Sequence, residues 1–255
     1  MKTVVHYSVE GPVARITLDS PDNRNALSKA LVSQLRQGLV DASDDSAVRA
    51  VVLGHTGGTF CAGADLSEAS SGDAGETVAH NARELTSVLR SILEMPKPVI
   101  GAIDGHVRAG GLGLVGACDI VVAGRGSTFA LTEARIGVAP SIISLTLLPK
   151  MSARAAGRYF VTGEKFGADV AAEIGLVTVA VADVNATVAE LTAEIAKGSP
   201  QGLAASKRLT TAPILNAFDR QAESLTRQSA ELFVSDEARE GMLSFLQKRP
   251  PNWVN

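Results

Sequence analysis

The sequence predicts an α/β protein with mainly parallel strand pairing. Three observations predict it. Apolar, strand-like runs alternate with helical patterns over most of the chain. The connections between those runs are about a dozen residues or longer, which is what a parallel crossover needs. The 255 residues, 45% hydrophobic and 20% charged, provide one large soluble domain or two small ones.

Residues 13–19 (VARITLD) alternate as a strand does, and SPDNRN after them is rich in turn formers. Ser28 is placed to cap a helix that runs to Ala42 with Leu31, Leu35 and Leu39 on one stripe. Residues 50–54 (AVVLG) form a continuous apolar run, the pattern of a strand buried on both faces. HTGGTFCAGADL then reads as a loop, with Asp65 near a new helix start, and residues 67–75 are small and polar, as in a mobile loop. A helix is expected over 79–93, ended by Met95-Pro96-Lys97-Pro98. Further strands are expected at 120–123, 128–131 and 177–181, and helices at 141–150, 153–162 and 170–173. After Asp183 the pattern turns wholly helical, over 185–197, 202–210 and 217–247. That tail is too thin to bury a core alone, so it packs on the first part or on another subunit.

Net charge is −3 with no basic block, which argues against nucleic acid and anionic membrane surfaces as partners. No apolar run approaches the ~18 residues of a membrane span, and the amino-terminal stretch lacks the apolar segment of a secretion signal. Cys61 and Cys118 have no metal-ligand spacing and read as buried thiols of a reducing, cytoplasmic compartment. His6, His55, His80 and His106 are scattered without an HxxxH pair, so no metal site is expected.

The chain is organised around residues 99–120, VIGAIDGHVRAGGLGLVGACDI. Four glycines, Gly110, Gly111, Gly113 and Gly116, fall within seven positions. Each costs roughly 1 kcal/mol in a helix interior, so their presence calls for a close backbone approach or tight helix packing. Gly111, Gly113 and Gly116 spell GxGxxG, but HVRA separates them from the preceding strand, and the next strand ends in Gly124-Arg125-Gly126 where a dinucleotide site needs an acid. Walker, GxSxG and HExxH motifs are absent. The loops 57–66 and 106–113 share a form: each follows an apolar strand, carries glycine and alanine, and leads into a helix. In a parallel sheet both reach the carboxyl edge, where helix-start N–H groups stabilise negative charge. Spacing alone leaves two readings open, an oxyanion hole and ordinary strand–helix turns.

At these residues the chain resembles the crotonase, or enoyl-CoA hydratase/isomerase, superfamily over nearly its whole length. Asn23-Arg24-Asn25-Ala26-Leu27 is similar to the family's first coenzyme A turn, and Phe60-Cys61-Ala62-Gly63-Ala64-Asp65-Leu66 to its first oxyanion loop. Pro96-Lys97-Pro98-Val99-Ile100-Gly101-Ala102 leads into the second, Ala109-Gly110-Gly111-Leu112-Gly113-Leu114. Cys118-Asp119-Ile120, Thr162-Gly163-Glu164 with AAEIGLV at 171–177, and Glu240-Gly241-Met242 through Phe245 to Lys248-Arg249 complete the ordered matches.

The resemblance implies a spiral of strand–strand–helix units over residues 1–190 carrying an acyl-CoA site, and a helical trimerisation region over 191–255. Homotrimers, or hexamers built as dimers of trimers, are expected. The backbone N–H groups of Ala64 and Gly110 would hold the thioester carbonyl. Arg24, Ala26, Ala62, Asp65 and Leu66 would line the coenzyme A side, with Asp65 more a helix cap than a catalyst. Phe245 and Lys248 would approach the nucleotide, from a neighbouring subunit if the family pattern holds, although Lys248-Arg249 also suits the end of a helix by charge alone. Coenzyme A belongs to the substrate, so no separate cofactor is expected.

Family hydratases use two glutamates. The second matches Glu133; the first falls on Gly113, which has no carboxyl group. Read alone, Glu133 is an exposed loop carboxylate or a partner for Arg135. In an apolar acyl pocket, desolvation would raise its pKa into the range of a general acid or base. Arg108 is unusual in such a loop; it either covers a helix end or contacts a polar acyl group or a phosphate. His106 is expected in core packing or at the surface. The implied activity is hydration of a 2-enoyl-CoA through one glutamate. The alternatives are isomerisation of 3-enoyl-CoA to 2-enoyl-CoA, and acyl-CoA binding with little catalysis.

Overall fold

The structure, a computed structural model, describes residues 2–66, 68 and 74–254, with 74 and 75 described in backbone only. The chain begins with a hairpin of β1 (Val5–Glu10) and β2 (Val13–Leu18), paired antiparallel. The helix α1 (Lys29–Asp44) follows, and Ser28 caps it by accepting the Leu31 N–H at 3.3 Å. Leu31, Leu35 and Leu39 are buried, and Gly38 faces Ile16 of β2.

Three strand–strand–helix units come next. They are β3 (Ala50–His55), β4 (Thr59–Cys61) and α2 (Ala74–Glu94); β5 (Val99–Ile103), β6 (His106–Arg108) and α3 (Gly110–Ala117); and β7 (Ile120–Gly124), β8 (Thr128–Ala130) and α4 (Ser141–Leu147). The expected loop at 67–75 lies largely outside the described residues. After α5 (Ala153–Thr162), β9 (Phe166–Gly167) and α6 (Ala168–Glu173) comes β10 (Val179–Val181). The first strand of each unit joins a six-stranded sheet ordered β1-β2-β3-β5-β7-β10, and the second joins a four-stranded sheet ordered β4-β6-β8-β9. All pairs are parallel except β1 with β2 and β8 with β9.

The continuous apolar runs have a two-sided reason. Val51, Leu53, Val99, Ile103, Val121 and Ala123 point into the main core, while Val52, Ile100 and Val122 point the other way, onto Val184 and Val188 of α7 (Val184–Ala196). Side chains alternate along a strand, so burial on both faces removes the polar half of the pattern.

The carboxyl-terminal helices depart from expectation. The sequence suggests a break between 210 and 217, and continuity from 217 to 247. Instead α8 (Pro200–Phe233) runs unbroken through Pro213, and the chain breaks at Val234-Ser235, where Ser235 caps α9 (Asp236–Leu246). An internal proline costs about 3 kcal/mol. Tertiary contacts offset it: Ile214 and Phe218 are buried, and the buried Lys207 ammonium meets Asp119 at 2.8 Å and donates to the Ile92 and Lys97 carbonyls. The expected division at residue 190 falls inside α7. Among the described residues, no helix is long and apolar enough to cross a membrane.

Candidate active site

Three neighbouring parallel strands of the smaller sheet end at one edge. β4 pairs with β6 and β6 with β8, in the registers Cys61↔Val107 and Arg108↔Ala130. Past their carboxyl ends the chain reaches Ala64, Gly110 and Glu133 in turn. Phe60, Val107 and Phe129 are fully buried and anchor the three strands in the core. Parallel sheets bind ligands at this kind of edge.

The first two loops touch. A Cβ built on Gly63 would lie 2.8 Å from the Ala109 Cβ and 3.4 Å from the Gly110 nitrogen, so only glycine permits the approach. Gly63 also has φ of 89°, and its carbonyl accepts the Leu27 N–H at 2.8 Å. Opposite it, Ala109 holds φ 47° and ψ −126°, a conformation that costs a non-glycine residue about 1–3 kcal/mol. Its own N–H is tied to the Ala130 carbonyl at 3.0 Å, which fixes the peptide leading into α3. Among the described residues, neither the Ala64 N–H nor the Gly110 N–H has an acceptor. The Gly110 N–H also stands at the positive end of α3.

The other glycines of α3 serve packing. Cβ atoms would meet Cys61 at Gly111 (2.8 Å), Ile143 at Gly113 (2.4 Å) and the Thr146 carbonyl at Gly116 (2.8 Å). The GxGxxG match therefore lies wholly inside a helix wedged between β4 and α4.

Glu133 begins a 3-10 turn, Glu133–Ile136, and is 6% exposed. Its Oε2 is buried without a hydrogen-bond partner, and burial pushes its pKa from 4.5 to about 7. The turn is firmly built: the N–H groups of Gly137 and Val138 both donate to the Glu133 carbonyl. Behind it, α9 packs backbone to backbone, Gly137 against Glu237 and Ala238, and Gly241 against Ile136. Arg135 is not the partner of Glu133; its Nε donates to the Thr162 carbonyl.

Arg108 resolves in favour of neither expected role. Its guanidinium lies along the small sheet, donating to the Val107 and Thr128 carbonyls and to the Thr128 Oγ1. His106 is exposed and shares that hydroxyl at 3.0 Å. Cys61 and Cys118 are buried free thiols, pushed up to about 12 by burial.

The residues assigned to coenzyme A form one cluster and two outliers. Arg24, exposed and left-handed at φ 58°, accepts the Ala62 N–H on its carbonyl at 3.1 Å. Ala26 is buried beside it in sequence, and Leu66 is half-buried. Asp65 accepts from Asn23 Nδ2 at 3.1 Å, which joins the same two loops. Phe245 and Lys248, by contrast, are exposed at the end of α9, the helix that backs the Glu133 turn.

Sequence reasoning gave no individual role to three residues. Asn25 is fully buried and clamps the first loop: its Oδ1 accepts the Ser20 N–H, and its Nδ2 donates to the Thr56 and Thr59 carbonyls. An asparagine in a turn-rich stretch, tolerant of positive φ, was the available signal. Ile143 fills the space at Gly113, and Ser141 is buried with an unpartnered hydroxyl. No local pattern points to either.

A model of the enoyl-CoA hydratase/isomerase family matches residues 8–255. The chain is 35% identical over 255 residues to a probable enoyl-CoA hydratase of Rhodobacter capsulatus, covering 98% of this chain and 97% of that protein. It is 30% identical over 261 residues to the carnitinyl-CoA dehydratase of Escherichia coli K12, covering 99% of each. The crystal structure of an enoyl-CoA hydratase from Mycobacterium avium superposes with a TM-score of 0.93 at 64% identity, covering 100% of both chains.

Proposed function

Since the chain belongs to the enoyl-CoA hydratase/isomerase family, we propose that it hydrates a 2-enoyl-CoA thioester, with Glu133 as the acid–base group. The observation that carries this reading is Glu133 Oε2, buried without a hydrogen-bond partner, on a residue that follows the same strand edge as Ala64 and Gly110.

The thioester carbonyl accepts from both N–H groups. As the water oxygen bonds to C3, the π electrons move through C2 onto the thioester oxygen, and the enolate charge builds where these donors point. One such donor is worth about 10²–10³ in rate. Glu133 takes a proton from the water and delivers one to C2, so that the carboxyl ends as it began. A pKa of about 7 lets it do both near neutrality. Arg24, Ala26, Ala62, Asp65 and Leu66 hold the coenzyme A portion of the substrate.

Phe245 and Lys248 reach a nucleotide in a neighbouring copy, in a trimer or a dimer of trimers. Support comes from the exposed apolar side chains of the last helices, Leu209, Leu243, Phe245 and Leu246. Light scattering of the purified protein at a trimeric or hexameric mass is the expected result.

A specific observation also favours a second reading. Ile143 stands where a first glutamate would rise from position 113, and a single carboxyl suffices to move a proton between C2 and C4. Crotonyl-CoA and a 3-enoyl-CoA separate the two. Hydration removes the conjugated-thioester absorbance of crotonyl-CoA; an isomerase leaves it and creates that absorbance from the 3-enoyl substrate.

A further inference from the structure

Among the described residues, the buried side-chain oxygens and nitrogens without a partner are Asn23 Oδ1, Glu133 Oε2 and Ser141 Oγ. Two of the three lie on one short segment. That segment is held by its own hydrogen bonds: Val138 N–H to the Glu133 carbonyl, Ser141 N–H to the Ala139 carbonyl, and Ser144 Oγ to the Ser141 carbonyl.

Several other buried helical hydroxyls have acceptors on their own helix. Thr146 donates to the Ile143 carbonyl, Thr211 to Lys207 and Ser244 to Gly241. Ser141 has no such outlet, because it is the first residue of α4 and no helical turn precedes it. It is 6% exposed, so solvent does not replace the missing acceptor. A buried hydroxyl without a partner is costly unless a ligand completes it.

Two residues along the same helix, Ile143 closes the space at Gly113. A carboxyl orienting water from that side is therefore excluded, and the Ser141 hydroxyl is the unsatisfied polar group next in the chain. We infer that Ser141 is a positioning residue for hydration: its Oγ and Glu133 Oε2 together hold the attacking water. A water needs two to four polar partners in a buried site, and these two atoms supply two.

The inference rests on the hydratase reading, and its test keeps the two apart. Ser141→Ala and Ser141→Gly are compared with the unaltered enzyme in three measurements: hydration of crotonyl-CoA, deuterium exchange at C2 of butyryl-CoA, and the thermal unfolding midpoint. Exchange at C2 needs the carboxyl and the enolate-stabilising donors but no water at C3. For Ser141→Ala, hydration kcat falls about tenfold or more, KM stays within about twofold, and the ratio of hydration to exchange falls with kcat. The midpoint holds or rises, because an unsatisfied buried group has been removed. Equal hydration in variant and unaltered enzyme overturns the inference, and so does a parallel fall of hydration and exchange. An unaltered enzyme that exchanges C2 protons without hydrating crotonyl-CoA overturns the hydratase reading and this inference with it.

Discussion

Ile143 of α4 stands directly over Gly113 of α3: a Cβ at position 113 would lie 2.4 Å from the Ile143 Cγ2 and 3.1 Å from its Cβ. Leu89 closes the other side at 3.3 Å. Position 113 is thus committed to packing, and in the proposed mechanism the contact between these two helices leaves Glu133 without a carboxyl partner at 113.

The contact predicts strong coupling. Gly113→Ala alone overpacks the junction and costs about 1–3 kcal/mol. Ile143→Ala alone opens a cavity and costs about 2–5 kcal/mol. Together they cost less than the sum, since each relieves the other. Urea denaturation of the four proteins gives the coupling, and simple additivity would show that the two residues do not constrain one another.

Gly113→Glu follows from the same contact. It restores the residue type that family hydratases carry, yet it must displace Ile143. The expected result is lower hydration and a lower unfolding midpoint, with partial recovery of both in Gly113→Glu, Ile143→Ala. A single Gly113→Glu variant with raised kcat and unchanged stability would show that the site has room for a second carboxyl.

The pair of half-buried Asp119 and buried Lys207 joins α8 to the large sheet. Asp119 Oδ2 meets the Lys207 ammonium at 2.8 Å and accepts the Val99 N–H at 2.8 Å. Burial lowers the Lys207 pKa, and Asp119 opposes that shift. Asp119→Ala leaves a buried cation unpaired and costs about 3–5 kcal/mol. Asp119→Leu with Lys207→Met costs less than Asp119→Ala, because no charge is stranded. Chemical denaturation at neutral pH checks the order, and the reverse order would mean that water reaches Lys207.

Much of the candidate site's framework was legible because it is built from chain continuity. Ala64, Gly110 and Glu133 each follow a short apolar strand within a few residues, so strand ends located the groups that meet at one sheet edge. What was not legible depends on distant partners. The burial of Ser141 depends on how α4 packs, and the filling of Gly113 on a residue from the next unit. Arg108 read as a cover for a helix end or as a contact for an acyl group or phosphate, because its acceptors on β8 belong to a strand it meets only through the fold. The break expected between 210 and 217 is absent because Phe218 and Lys207 hold α8 across Pro213 through tertiary packing that a local pattern does not carry.

Glu133 links stability to pH. Burial raises its pKa from 4.5 to about 7 in the folded chain. Below pH 4.5 the carboxyl is protonated in both folded and unfolded states. Between 4.5 and 7 the unfolded chain loses the proton while the folded chain keeps it, so stability falls as pH rises. Above 7 the loss is complete, at about 3 kcal/mol for a carboxyl this deeply buried. Glu133→Gln keeps the shape and does not titrate. Its stability relative to the unaltered protein should therefore grow from pH 5 to pH 8 by about 2–3 kcal/mol, while hydration falls by about 10²-fold or more. Urea unfolding of both proteins at the two pH values measures the first effect and crotonyl-CoA hydration the second. Equal pH slopes in the two proteins would mean that the Glu133 carboxyl is solvated in the folded state, and its place as a buried acid–base group would be lost.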